Sequence, residues 1–385
     1  MHEPNVERRE LFQEMKGFQV NIRPCSKWAV LVQLAAILHG LTASVEAGQM
    51  HSLSGHVPPA SALVQMLDSL PGTNVLHLAI GLPLNNLDAL NNVLQQIYDP
   101  ASPNFHHFMD SGQFTAAFGP TEKDYQTVIK FAKTNGLTIL GTCSNRALVE
   151  VSGKVSDIER AFHVHLHRFQ HPTEPRTFYA PDIEPSLDST VPVDYVGGLA
   201  SYRLPHPSAF HTVPLAKGQT PVANDGSEGG FYVGQDLRSA YAPGVTNAGS
   251  GQSIGLVEFD SYYAVDINSY LALPQLGLTS SVTLSNVNLG ITGLPGSGNG
   301  EVALDIDMAI SMAPGLSTIY VYEATNDAAS PDIVMNRIAA DNLSRQLSCS
   351  WSGFDDSIIE NDFLQFAAQG QSFFIASGDS GAYFA

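Results

Sequence analysis

Charged residues are scarce in this chain of 385 residues. They make up 14% of it, against roughly 25% in a typical soluble protein, and they are mostly acidic, with a net charge of −19. Such a field repels phosphate backbones, and no cluster of Lys and Arg interrupts it, so we do not expect nucleic-acid binding. An acidic surface of low charge suits an extracellular protein that works at low pH, although many ordinary secreted proteins are acidic as well. The apolar content of 44% can form real cores and excludes a disordered chain.

Cysteine is also rare, with three residues in the chain. Three cysteines cannot form a dense disulfide framework, and no C-x-x-C or Cys/His cluster suggests a zinc site. Cys25 lies in a segment that we expect to be removed, and Cys143 and Cys349 lie in different predicted domains. We therefore expect the two remaining thiols to be unpaired, and we expect no metal site in this chain.

Residues 1–48 have the order of regions found in a secretory signal peptide. Arg23 and Lys27 precede the apolar run 28–41, and small residues follow it up to the possible cleavage site at 45–47. The run is short for a membrane span, and a buried N-terminal helix is the alternative. No later stretch approaches 18 apolar residues, so the sequence predicts a secreted protein with no membrane anchor after the signal is removed.

Residues 55–200 show a mixed pattern of strands and helices. The predicted elements are a strand at 76–84, helices at 87–97 and after Thr121, strands at 137–140 and 147–151, a helix capped by Ser156 and a strand at 164–169. A βαββαβ order with the helices on one face predicts an α+β domain of the ferredoxin-like type.

Three histidines alternate along the last of these strands. Alternation would place His163, His165 and His167 on one strand face, which is a possible metal-binding arrangement. No carboxylate or cysteine nearby completes a set of ligands, so a solvated or interface-facing strand is the interpretation we prefer. Histidines in such a place could still respond to pH, since they gain charge near pH 6.5.

The composition shifts to Pro, Ser, Gly and Asn between residues 172 and 230. Little regular structure is expected there, and we assign 201–230 as a linker between two domains. After Phe231 short β-rich runs alternate with helical stretches. The runs are 253–258, 318–322, 346–350 and 372–376, and the helices lie near 301–312, 331–342 and 357–369. This alternation predicts a parallel sheet covered on both faces, with chemistry where the strands end.

Two acidic residues open one of these helices. Glu301 and Asp305 are four residues apart and so lie on one helix face, among apolar neighbours. Two carboxylates in an apolar setting cannot both ionise cheaply, so they would share a proton and suit general-base chemistry at acid pH. The alternative is a helix whose first turn simply carries favourable acidic residues, and the spacing alone favours that alternative.

A Gly-Asp-Ser-Gly segment follows the last apolar strand, at residues 378–381. It is similar to the nucleophile loop of trypsin-like proteases, but the chain is not a series of short β-strands, and an Ala-Ala-His-Cys motif is absent. A glycine-rich turn that places Asp379 at the sheet edge is the plainer interpretation.

Taken in order, these segments resemble the sedolisin or serine-carboxyl peptidase family, and its kumamolisin-like branch most closely. The matching stretches are 98–105 and 114–121 for the activation domain, 235–241 for the start of the peptidase domain, Glu301 and Asp305 followed by Ala-Pro-Gly at 313–315 for the acidic pair, 350–353 for the substrate-cleft strand and 377–381 for the oxyanion loop. Their order and spacing together carry the resemblance. It implies a pro-kumamolisin activation domain at 55–200, then a subtilisin-like α/β peptidase domain beginning at 231.

The resemblance also implies a role for each site residue. Glu301 would be the general base for a serine nucleophile, and Asp305 would orient Glu301 and share its proton. Asp379 would be the protonated acid that stabilises the tetrahedral oxyanion, since an ionised carboxylate would repel it. Glu258 would extend the acidic network to Trp351 of the cleft strand, although both are also explained as buried packing residues.

One departure from the family pattern limits these expectations. The family places its nucleophile in Ser-Gly-Thr-Ser, and no Gly-Thr-Ser occurs in this sequence. We therefore expect residues 231–385 to correspond to the first half of the peptidase domain, without the serine and without the calcium site that the family carries in its second half.

Three functions remain open at this point. The first is a secreted, acid-acting serine-type endopeptidase zymogen that acts on polypeptides and carries its activation domain intramolecularly, inactive as this chain stands. The second is a non-catalytic chaperone or inhibitor that binds a related peptidase through the activation domain. The third is a decayed product without activity.

Overall fold

A computed structural model describes residues 49–207, 232, 234–273, 276, 282–354 and 356–378. The predicted signal segment, Cys25, most of the predicted linker and Asp379 lie outside these residues. Within them, none of the helices has both the length and the apolar character needed to cross a membrane. Cys143 and Cys349 are both free thiols.

The first region, up to residue 197, contains nine strands and four helices. They are β1 (Met50–Ser52), β2 (Met66–Ser69), β3 (Val75–Gly81), α1 (Leu87–Tyr98), α2 (Ser111–Phe118), α3 (Glu122–Thr134), β4 (Thr138–Thr142), β5 (Leu148–Lys154), α4 (Val155–Phe162), β6 (Leu166–Gln170), β7 (Thr177–Pro181), β8 (Ser186–Asp188) and β9 (Tyr195–Gly197). A short 3₁₀ turn spans Pro59–Ala62.

The predicted helix caps are right in one case and wrong in the other. Thr121 caps α3, since its hydroxyl accepts the backbone N–H of Asp124 at 3.1 Å. Ser156 does not cap α4, because the helix starts one residue earlier, at Val155. Backbone carbonyls replace the missing cap, with the N–H of Val155 donating to Asn74 O at 2.8 Å and that of Ser156 to Gly72 O at 3.1 Å.

The strands of this region form separate sheets that the ferredoxin-like expectation does not describe. A four-stranded antiparallel sheet has the order β4-β5-β3-β9, and its core is shared with α3 and α4. Strand β6 does not join it; β6 pairs with β2 and β7 in a three-stranded sheet, and β1 pairs with β8. The mixed α and β content is as predicted, while the ferredoxin-like arrangement is not confirmed.

Two expectations for this region are wrong. The composition between residues 172 and 200 predicted little regular structure, yet β7, β8 and β9 form there by pairing with distant strands, which composition cannot reveal. The three histidines also do not share a strand face. His163 ends α4 with a left-handed backbone (φ 55°), its Nδ1 donates to Ser186 O at 2.9 Å, and β6 begins only at Leu166.

The second region is an α/β layer built on a parallel sheet. Its elements are α5 (Gly234–Tyr241), β10 (Ser253–Glu258), α6 (Ala264–Leu271), β11 (Thr283–Leu289), α7 (Asn299–Met312), β12 (Thr318–Ala324), α8 (Ser330–Asp341), β13 (Gln346–Cys349), α9 (Ser357–Gln369) and β14 (Ser372–Ile375). The sheet order is β11-β12-β10-β13-β14, with every pair parallel as predicted. Strand β11 was not predicted, because it contains two Asn residues, a type that is depleted in strands.

The two regions meet at helices α8 and α9. On one side these helices pack on the parallel sheet. On the other, Ile333 and Ile358 pack against Ala79 and Leu148 of the first region. The contact brings small residues of the antiparallel sheet against the helices; a Cβ on Gly81 would lie 2.5 Å from Ile358. The predicted domain boundaries at 55–200 and 231–385 remain predictions, since the described residues cluster as one compact unit.

Candidate active site

The four predicted site residues that the structure describes converge at the carboxyl edge of the parallel sheet. Glu258 is the last residue of β10, Trp351 follows β13 by two residues, and Glu301 and Asp305 lie in the first two turns of α7. Strand β10 lies between β12 and β13, and Glu258 at its end interacts with Asp305 on the helix that carries the acidic pair. This is the edge at which open parallel sheets place ligands.

Glu258 and Asp305 form a hydrogen-bonded carboxyl pair. The indole Nε1 of Trp351 donates to Glu258 Oε2 at 2.8 Å, and the hydroxyl of Ser350 donates to Asp305 Oδ1 at 2.8 Å. The remaining oxygens, Oε1 of Glu258 and Oδ2 of Asp305, receive no other donor. Because the two carboxyls are in contact, one proton held by Glu258 and donated to Asp305 satisfies both oxygens.

The electrostatics of the pair favour that proton. Burial raises the pKa of Glu258 well above its usual range, and the negative charges of Asp305 and Glu301 raise it further, against the indole donor of Trp351. Burial also raises the pKa of Asp305, while the hydrogen bonds from Ser350 and Glu258 oppose that rise. Glu258 therefore holds the proton and Asp305 accepts it.

Glu301 belongs to the same acidic cluster. Its side chain is buried, and it lies one helical turn before Asp305, on the same face of α7. Its charge acts on Glu258. Together with burial and the other two carboxyls, it also raises the pKa of the Cys349 thiol well above its usual range. The sequence predicted an acidic pair; the structure places a third carboxyl, Glu258, in direct contact with Asp305.

Trp351 is held on its faces as well as at its nitrogen. It is buried, and the ring of Phe259 meets it edge to face with 5.6 Å between centroids. Its far edge lies against the backbone of Gly298, where a Cβ would approach the ring to 2.6 Å. Only glycine fits at this position without moving the indole, so the entry of α7 and the cleft strand are closely packed.

A cleft of about 430 Å³ opens beside this cluster. Its walls are the loop from Gly290 to Gly298, the turn at Thr325 and Asn326, and the side of Trp351. His206 and Pro207 lie along the cleft strand: Pro207 forms an antiparallel bridge with Trp351, and Ser352 N donates to His206 O at 3.2 Å.

Two residues near the cluster were not assigned from the sequence. Ser350 was noted only as part of the cleft motif, and its contact with Asp305 depends on the position of β13. Asp260 lies two residues after the end of the buried strand β10, and a polar residue at that point is a usable signal. Asp379 lies outside the described residues.

Asp307 lies apart from the cluster although it is on the same helix. Its carboxyl is buried, and burial raises its pKa to about 7, with the charge of Asp266 on α6 adding to the effect. Within the described part of the chain, no group of three or more His, Cys, Asp or Glu side chains is arranged to hold a metal ion.

Comparisons with known proteins agree with the resemblance seen in the motifs. Residues 64–202 match the family model for the pro-kumamolisin activation domain. The chain is 26% identical to xanthomonalisin from Xanthomonas sp. (strain T-22), covering 93% of this chain and 49% of that protein. It is 26% identical to kumamolisin from Bacillus sp. (strain MN-32), covering 73% of this chain and 53% of that protein.

A solved structure of Pseudomonas sedolisin, a serine-carboxyl proteinase complexed with two molecules of pseudo-iodotyrostatin, covers 40% of this chain and 45% of its own, at 19% identity and a TM-score of 0.33. The chain spans about half the length of the curated relatives it matches. Over about half the length of these relatives, the chain is therefore similar to serine-carboxyl peptidases of the sedolisin family, and its residues 64–202 match the model of their activation domain.

Proposed function

We propose that this chain is part of the zymogen of a secreted, acid-acting serine-carboxyl endopeptidase. Residues 55–200 would be its activation domain, and residues from 231 onward would belong to a subtilisin-like peptidase domain. The observation that carries the proposal is the buried acidic cluster of Glu258, Glu301 and Asp305 at the carboxyl edge of the sheet, next to an open cleft. Burying the carboxyls of Glu258 and Asp305 against each other is costly to fold, which supports a chemical role.

The proposed reaction is acyl transfer. The carboxylate of Glu301 would take the proton of a serine hydroxyl while the serine oxygen attacks the peptide carbonyl carbon. Protonated Asp379 would donate a hydrogen bond to the resulting oxyanion. Glu301 would then pass its proton to the leaving amine as the C–N bond breaks. Asp305 would orient Glu301, and the proton held by Glu258 would limit the negative charge of the cluster.

The segment of His206 and Pro207 at the cleft supports the zymogen interpretation. Pro207 forms an antiparallel bridge with Trp351 of the cleft strand, and Ser352 donates its backbone N–H to His206 O. The hydroxyl of Ser352 is also 2.9 Å from His206 Nδ1. A polypeptide substrate would pair with the same strand edge, so this segment would compete with substrate until it is cut or displaced.

The test must supply a serine, since these 385 residues contain no Ser-Gly-Thr-Ser. We would fuse the chain to the serine-bearing half of kumamolisin and measure hydrolysis of denatured protein between about pH 3 and about pH 5. Glu301→Gln should abolish turnover, and Glu360→Gln, an exposed residue on α9, should not. A folded fusion without activity, or one that remains active with Glu301→Gln, would reject the proposal.

A second function is favoured by the contact between the two regions. The activation domain binds α8 and α9 through apolar side chains and through hydrogen bonds such as Asn145 Nδ2 to Gln365 Oε1 at 3.1 Å. A chaperone or inhibitor of a related peptidase would use the same surface. Slowed hydrolysis by mature kumamolisin after addition of this chain would support that function, and unchanged hydrolysis over a wide range of chain concentration would reject it.

A further inference from the structure

Asp260 uses its whole carboxylate to hold the loop that leads into α7. Oδ1 accepts the backbone N–H groups of Ser261 and Gly296, both at 2.8 Å, and Oδ2 accepts that of Gly298 at 2.7 Å. A carboxylate filled by three backbone amides is a rigid connection, because charged hydrogen bonds are stronger than neutral ones. The residue lies two positions after Glu258, just beyond the end of β10.

The loop needs this connection because α7 has no side-chain cap of its own. Its N-cap residue is Gly298, which carries no side chain to accept the orphan amides of the first turn. Glu301 N donates to Gly298 O at 3.0 Å. Two consecutive hydrogen bonds therefore connect the carboxylate of Asp260 to the backbone of Glu301, and a negative charge beside a helix N-terminus is favourable as well.

Gly298 connects Asp260 to Trp351 as well. The indole lies against the Gly298 backbone, while its Nε1 donates to Glu258. Glu258 and Asp260, at the end of one strand, thus hold the indole from two sides. A shift of Gly298 would move Glu301 and the indole together, and with them the environment of the Glu258–Asp305 pair.

We propose that Asp260 is a positioning residue, whose carboxylate holds Gly298 and thereby sets Glu301 and Trp351 against the Glu258–Asp305 pair. This inference rests on the proposed function for the meaning of that geometry. The same carboxylate would also hold part of the cleft wall in place, since Asp260, Gly296 and Gly298 all line the cleft.

The experiment uses Trp351 as a reporter in the full chain. The only other tryptophan is Trp28, in the predicted signal segment, so all variants would carry Trp28→Phe. Emission is recorded against pH, since ionisation of the carboxyl bonded to the indole changes the indole's surroundings. In the Asp260→Asn variant, one of the three bound backbone N–H groups faces the side-chain N–H of Asn instead of an acceptor. Gly298 is then held less firmly, and water reaches the acidic cluster. The titration midpoint should fall by about 0.5 pH unit or more, because burial is the main cause of the raised pKa.

Asp327→Asn is the matched control. Asp327 likewise follows a parallel strand and accepts two backbone amides at a helix entry, Ala329 N at 3.0 Å and Ser330 N at 3.1 Å, but that helix is α8. Both variants should lower the melting temperature, and only Asp260→Asn should shift the midpoint. In the Gly298→Ala variant, in which Asp260 is intact, the added methyl group pushes on the indole directly. This variant should shift the titration midpoint as well.

Three results would overturn the inference. One is an unchanged midpoint in a folded Asp260→Asn or Gly298→Ala protein, while the parent titrates. Another is an equal shift in Asp327→Asn, which would mean that general loosening is the cause. The third is a folded parent with no pH-dependent emission, which would reject the proton-sharing pair and with it the present assignment of Asp260.

Discussion

His77 Nδ1 lies 3.0 Å from Asp327 Oδ2, which joins β3 of the first region to the turn after β12. The other ring nitrogen, Nε2, is 2.9 Å from Glu150 Oε1 on β5. The imidazole thus lies between two carboxylates. Burial lowers the pKa of His77, but the hydrogen bonds and charges of Asp327 and Glu150 outweigh it and raise the pKa to about 9. Burial would raise the pKa of Asp327, and the contacts with His77 lower it below its usual value.

His77→Gln should weaken the contact between the two regions in a defined pH window. The stabilisation from His77 is complete below its unfolded pKa near 6.5 and is lost as pH rises through about 9. The stabilisation from Asp327 is present above its ordinary pKa of 3.8 and is lost as pH falls through its lowered value. We expect the variant to melt a few degrees below wild type at pH 5–6 and to approach it above about pH 9, by calorimetry. The exposed His107→Gln is the control, and a pH-independent difference would contradict the ion pair.

Asp307→Asn should stabilise the protein at neutral and higher pH. The folded pKa is raised from 3.8 to about 7 by burial, then by Asp266. Between these values the unfolded chain ionises while the folded chain keeps its proton, so wild-type stability falls across this window and levels off above it. The melting temperature of the variant should exceed that of wild type by an amount that grows from pH 4 to pH 7. A difference in melting temperature between variant and wild type that is the same at every pH would refute the raised pKa of Asp307.

Glu258→Gln should behave as a permanently protonated Glu258. Its amide can accept from Trp351 Nε1 and donate to Asp305, so both hydrogen bonds are kept. Wild type loses stability as pH rises because the unfolded chain releases a proton that the folded chain holds; the variant lacks this loss. In urea unfolding, the free energy of unfolding of Glu258→Gln relative to that of wild type should be greater at pH 8 than at pH 5. Glu258→Ala leaves the indole N–H of Trp351 without an acceptor and should be destabilised by about 1–3 kcal/mol at both pH values. Equal pH slopes for Glu258→Gln and wild type would rule out a shared proton.

Asp379→Ala should remove the oxyanion donor in the fusion with the serine-bearing half of kumamolisin. Loss of one such donor costs about 10²–10³ in kcat. Asp307→Ala should keep most of the activity, because the charge that acts on the Asp307 carboxyl is that of Asp266 on α6 and not that of the acidic cluster. Turnover numbers are compared after circular dichroism confirms folding. An inactive but folded Asp307→Ala fusion, or a fully active Asp379→Ala fusion, would mean that the carboxylates have been assigned wrongly.

Elements with a strong local pattern were predicted well. The strand at 253–258 and the helix at 357–369 match β10 and α9, because an apolar period and a capping residue act within a few residues of sequence. Strand β9 was missed because its stability comes from pairing with β3, more than a hundred residues earlier. The partners of β6 were misjudged for the same reason, since an exposed edge can pair with more than one strand.

The sequence by itself determined the composition that builds the cores, the parallel sheet implied by alternating strands and helices, and the placement of Glu301 and Asp305 on one face, since four residues make about one helical turn. Only the tertiary structure decided which groups surround that face. Glu258, Ser350 and Trp351 reach it because β10 and β13 are neighbours in the sheet, and Asp260 reaches the helix entry through a loop more than thirty residues later in the chain. Contacts of this kind depend on strand order and burial, which are properties of the folded chain as a whole.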